Sequence, residues 1–87
     1  MIRLLFLRAL LEKVRDGGVL TESEANVLLA AMYADIEDDG AAQGYPAFEL
    51  GVFLDRYGKD AITDPGHNLN STIRGLCRVL LYELDKI

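Results

Sequence analysis

The apolar residues of this chain return every three or four positions along four separate stretches, and no stretch alternates long enough to make a strand. Alternation serves a pleated strand with one face buried, whereas three-to-four spacing lines one face of a helix. The pattern predicts an all-α fold. At 87 residues there is room for one domain, residues 1–87, built on one modest core. Short connections between amphipathic helices favour antiparallel neighbours, so the expected architecture is a small antiparallel four-helix bundle.

The first helix is expected over residues 2–15. Leu4, Leu7, Leu11 and Val14 share a stripe, widened by Phe6 and Leu10, and Arg8 and Glu12 are spaced to pair on the opposite side. Asp16-Gly17-Gly18 ends it, since glycine readily takes the left-handed conformation of a helix terminus. The second helix is expected to start at Thr21. Thr21 and Glu24 have the spacing of a capping box, in which hydroxyl and carboxylate each take a backbone N–H. Ala25, Leu28, Leu29, Met32 and Ile36 keep helical spacing. Val27, Ala30, Ala31 and Ala34 leave little polar face, so this helix is expected to be the most buried, ending at Asp38-Asp39-Gly40.

Residues 46–57 form the third. Pro46 suits a first helical position, where its missing N–H costs nothing, and Leu50, Phe53, Leu54 and Tyr57 follow before Gly58. Gly51 in its middle costs about 1 kcal/mol relative to alanine unless something packs closely there. A loop is expected over residues 59–70, with Asp64-Pro65-Gly66 as a turn. The fourth helix starts at Asn70 or Ser71 and carries Ile73, Leu76, Cys77, Leu80 and Leu84 on one face, with Arg74 and Arg78 on the other.

The N-terminal leucines imitate a secretory signal, but Arg8 interrupts the apolar run, Glu12 and Lys13 close it, and no small-residue cleavage site follows. The run is also shorter than the ~20 apolar residues of a membrane span. A lone cysteine, Cys77, permits no internal disulfide and fits a reducing cytosol, so a cytoplasmic protein without a membrane partner is expected.

Catalytic constellations are not legible. His67 falls in the glycine-proline loop and Cys77 on an apolar helix face, where a thiol packs as a small hydrophobe. Neither a zinc-spaced Cys/His cluster nor a phosphate loop is present. Asp35, Glu37 and Asp39 before Gly40 match the first half of a calcium loop, but Pro46 stands where its bidentate glutamate belongs. Gly18, Leu20 and Glu24 match the second half of another, behind Lys13 and Arg15. The chain is therefore expected to be a binding protein, not an enzyme, and to use neither metal nor cofactor.

Charge says what it would bind. The formal net charge is −5, distributed as +3 over residues 1–15, −9 over residues 16–64 and +1 over residues 65–87. A field of that sign repels nucleic-acid phosphates and attracts basic proteins. The expected partner-binding residues are Asp35, Glu37, Asp38 and Asp39, with Glu49 and Asp55 on the next helix. Leu5, Val52, Val79, Leu81 and Tyr82 lie off the main stripes and form an apolar surplus. Acidic rims around exposed apolar groups suit a basic protein partner. A solvated acidic face and a thickened core would account for the same residues.

The order of features resembles the colicin-type tRNase immunity proteins. The resemblance is carried by the leucine helix leading into Gly17-Gly18-Val19-Leu20-Thr21-Glu22-Ser23-Glu24, by Phe53-Leu54-Asp55-Arg56-Tyr57, and by a last helix holding Ile73-Arg74 and ending in Leu80-Leu81-Tyr82-Glu83-Leu84. It implies an inhibitor whose carboxylates stand in for tRNA phosphates. Two other functions fit the residues themselves: a structural or adaptor subunit, phage or bacterial, that docks or oligomerises through its apolar surplus, and a regulator using Arg74 and Arg78 on nucleic acid, which the overall charge disfavours.

Overall fold

A computed structural model of the chain describes residues 2–39 and 46–86, leaving aside the side chains at positions 2, 39 and 46. The described residues are all-α: they form six helical segments and no strand. These are α1 (Ile2–Phe6), α2 (Arg8–Arg15), α3 (Glu22–Asp39), α4 (Pro46–Tyr57), α5 (Asp60–Thr63) and α6 (Asn70–Leu84).

Two departures from the four expected helices account for the higher number. The first helix is broken at Leu7, whose φ of −106° and ψ of 15° leave the helical region. The Leu7 N–H reaches back only three residues, to Leu4 O, and the Leu10 N–H likewise to Leu7 O. The break lets one leucine stripe serve two neighbours, since α1 packs against α3 and α2 against α6. The second departure is α5, which lies inside the expected loop. Ala61 and Ile62 are buried there, and the Ile62 carbonyl accepts the Leu20 N–H at 3.0 Å. That bond ties the α2–α3 connection to α5. Two apolar residues are too few to show a helical period, which is why the segment reads as loop.

The helix ends follow the expected chemistry. At the end of α2, Gly17 has φ +98° and donates to Val14 O, while Gly18 donates to Lys13 O. This is the paired closure of a Schellman motif. Gly58 has φ +85° and donates to Leu54 O, the simpler left-handed ending of α4. Before α3, the Thr21 N–H donates to Glu24 Oε1 at 2.9 Å and the Glu24 N–H to Thr21 Oγ1 at 3.1 Å, completing the capping box. Gly40 and the rest of the calcium-like stretch up to Tyr45 lie outside the described residues.

The core joins Leu4, Leu11, Leu28, Met32, Leu50, Ile62, Ile73, Leu80 and Leu84, with Cys77 among them. Helix α3 is less buried than its alanines suggest: Val27 and Ala30 face solvent, and the buried stripe is Ala25, Leu28, Met32 and Asp35. Of the apolar surplus, Leu81 belongs to the core and Leu5 is half-buried, while Val52, Val79 and Tyr82 are exposed. The radius of gyration of 11.6 Å matches the ~12 Å expected of a folded chain of this length. No helix among the described residues is long and apolar enough to cross a membrane.

Candidate functional site

The six carboxylates expected to meet a partner do not share one surface. Asp35 is 2% exposed and faces inward. Its Oδ2 accepts the Leu4 N–H at 2.9 Å, and its Oδ1 accepts the Arg3 N–H at 3.2 Å and the Arg3 guanidinium at 3.3 Å. A helix leaves its first N–H groups without intrahelical partners, and α3 supplies α1 with a carboxylate for them. Asp35 is thus a cap, not part of a rim. Asp38 is exposed and pairs with the same Arg3 guanidinium. Glu37 is exposed, and the Asp39 side chain lies outside the described residues.

On the neighbouring helix, Glu49 and Asp55 are both exposed. Asp55 borders a concavity between α3 and α4 of about 160 Å³, lined otherwise by Tyr33, Ile36, Phe48, Gly51 and Val52. Helical spacing explains the two walls. Tyr33 and Ile36 are three apart on α3, and Phe48, Gly51, Val52 and Asp55 fall on one stripe of α4. Gly51 makes the recess. A Cβ at this position would stand 3.8 Å from both Ile36 Cδ1 and Tyr33 Cε1, in ordinary contact with each. The absent side chain leaves room between the walls.

Tyr33 is 42% exposed and Val52 46% exposed, so both reach solvent at the lip of the groove. Burial of the ring, then the hydrogen bond and negative charge of Asp55, push the Tyr33 phenol up to about 12. The phenol therefore stays neutral near the Asp55 carboxylate. Further along α4, Tyr57 packs on Phe53 with ring centroids 4.7 Å apart, and the Arg56 guanidinium lies 5.8 Å from the Tyr57 ring centre. An apolar slot beside a carboxylate can take an apolar side chain together with a lysine or arginine next to it.

The sequence marked Asp55 and Val52 but missed Tyr33 and Phe48. The signal for them was Gly51, a costly residue in mid-helix with an aromatic three positions before it. Its meaning depends on which helix lies opposite.

The two groups of nucleophilic or basic character are engaged elsewhere. Cys77 is fully buried, and burial pushes its thiol up to about 12, away from the thiolate that reacts. His67 is half-buried, and its Nδ1 accepts the Leu69 N–H at 3.1 Å. On α6, Val79 and Tyr82 are 51% and 64% exposed, and Lys86 sits 4.6 Å from the Tyr82 ring centre.

Comparison with known proteins finds no matching family model, no matching curated protein and no matching solved structure.

Proposed function

We propose that the protein works by binding another protein through the α3–α4 face, not by catalysing a reaction. The observation that carries this is the groove of Tyr33, Ile36, Phe48, Gly51 and Val52 with Asp55 at its edge. It is apolar inside and acidic beside, and Glu37 and Glu49 are exposed next to its lining residues in sequence. The complementary occupant is a leucine- or aromatic-sized side chain flanked by lysine or arginine. On this reading the chain is an inhibitor of a basic, nucleic-acid-acting protein in the cytoplasm, the role implied by the resemblance to tRNase immunity proteins. The bent α1–α2 unit, α3, α4 and α6 then form an antiparallel bundle, a reading supported by the closed ring of packing from α1 to α3, α4, α6 and α2.

A second reading rests on the exposed Val79 and Tyr82 of α6. They would let the chain dock or oligomerise as an adaptor, with little dependence on charge.

The test compares wild type with Val52→Glu as baits in the native host, followed by kinetics on the recovered partner. Val52 is nearly half exposed, so the change leaves the core alone. The expected partner is basic, is lost with Val52→Glu, and associates roughly tenfold or more slowly with a Glu37→Gln, Glu49→Gln, Asp55→Asn variant at low salt. A partner retained by Val52→Glu and lost with Val79→Glu selects the adaptor reading.

A further inference from the structure

A second cavity, of about 210 Å³, lies where the α2–α3 connection, α5 and α6 meet. Its lining differs in chemistry from the α3–α4 groove. Gly17, Val19, Ile62, Ile73, Asn70 and Arg74 are among the residues around it. Arg74 is half-buried, and its Nη1 lies 3.8 Å from the position a Gly17 Cβ would occupy. The positive φ of Gly17 and the two Schellman bonds hold the connection in place beneath the guanidinium.

Arg74 is unusually free for an arginine bordering a cavity. Its only hydrogen bond among the described residues runs from Nη2 to Ser71 Oγ at 3.4 Å, and no carboxylate lies within ion-pair distance. Two acids that adjoin the lining in sequence, Asp16 and Asp64, are engaged elsewhere. Asp16 binds Arg15 at 3.0 Å, and the Asp64 Oδ1 accepts the Gly66 N–H at 2.9 Å. The Val19 N–H, on the same lining, meets no acceptor among the described residues. Asn70 has both amide hydrogens engaged, with Ala61 O at 2.9 Å and Asp64 O at 3.1 Å. Ile62 and Ile73 are buried behind the lining, so the surface open to a ligand is mainly polar.

A guanidinium fork matches a carboxylate through two parallel N–H···O bonds. The volume falls below the ~300–1,000 Å³ usual for drug-sized ligands, so it suits one small functional group. We propose that this cavity binds a single carboxylate, with Arg74 holding it and the Val19 N–H as a further donor. Such a group is found in a small organic acid and in the C-terminal residue of a peptide.

The experiment is an amide and arginine-Nε NMR titration of the full chain at fixed ionic strength. The probes are butyrate, N-acetyl-glycyl-valine with a free carboxylate, and the same dipeptide as its amide. Both acids should give saturable shifts at Gly17, Gly18, Val19 and the Arg74 Nε, and the amide none. Arg74→Gln should weaken binding about tenfold or more, the worth of a charged hydrogen-bonded pair. Arg78→Gln removes the same charge from an exposed position of the same helix and should leave binding unchanged. Tighter binding of the dipeptide acid assigns the site to a peptide terminus, and equal or tighter binding of butyrate assigns it to a free organic acid. The proposal is overturned if neither acid saturates, if the amide binds as well as the acid, or if the two arginine variants behave alike.

Discussion

Asp35 shows how one residue can couple two helices. Its carboxylate takes two backbone N–H groups and a guanidinium at the start of α1 while standing on α3. Hydrogen bonds to a charged group contribute about 1.5–3 kcal/mol each, and removing the acceptor strands the donors in a buried place. Asp35→Ala should therefore cost about 2–4 kcal/mol in urea unfolding. Glu37→Gln, on an exposed position two residues on, should stay within about 0.5 kcal/mol of wild type. Equal effects would mean that α1 does not depend on this cap. Cys77 gives a second prediction at this scale. Its folded-state thiol is raised to about 12 by burial, whereas an unfolded cysteine ionises near ~8.5. The stability linked to it is fully present below the unfolded value and is lost as pH rises through the folded one. Native protein at pH 8 should resist iodoacetamide, and unfolding in urea should expose the thiol. Rapid alkylation without denaturant would place Cys77 outside the core.

At the scale of the element, the capping box and the glycine of α4 make opposite predictions. Thr21→Ala removes an acceptor for the Glu24 N–H and should cost about 1 kcal/mol. Glu24 has its carboxyl pKa lowered, first by the Thr21 backbone N–H and also by Lys13. A depressed folded value gives stability that is present above the unfolded pKa and lost as pH falls through the folded one. Thr21→Ala keeps the backbone N–H at position 21 and the Lys13 contact and loses only the hydroxyl, so acid titration of this variant should find the Glu24 pKa still lowered. Gly51→Ala should stabilise the protein by about 0.5–1 kcal/mol, because alanine favours helix and its Cβ meets the facing atoms at ordinary distances. The same change fills the recess between Tyr33 and Phe48. Thermal unfolding checks the gain, and loss of the recovered partner shows whether the recess is used. Leu28→Ala should cost about 2–5 kcal/mol, since Leu28 is fully buried in the middle of α3.

At the scale of the whole molecule, the charges divide by direction. Arg3, Asp35 and Asp38 are spent on holding α1 to α3, and Arg8 reaches Asp85 at 2.8 Å to hold α2 to the end of α6. Glu37, Glu49 and Asp55 are exposed around α3 and α4. Arg74 and Arg78 stand on α6, with no carboxylate in ion-pair reach among the described residues. Association through α3 and α4 should therefore weaken as salt rises, while docking through Val79 and Tyr82 should barely change. Stopped-flow mixing with the recovered partner over a range of salt concentrations separates the two.

Helix content, the capping box, the glycine stops after α2 and α4 and most of the core were legible in the sequence, because each depends on residues within about one or two helical turns. Three things depended on the tertiary structure. The break at Leu7 follows from α1 and α2 finding different neighbours, and no proline or glycine announces it. The burial of Asp35 follows from the start of α1 lying against α3, so a carboxylate that looked like surface charge became an internal cap. The α3–α4 groove exists only because Gly51 comes to face Tyr33 and Ile36. Local sequence sets spacing along one helix, and a site between helices is decided by which faces the packing brings together.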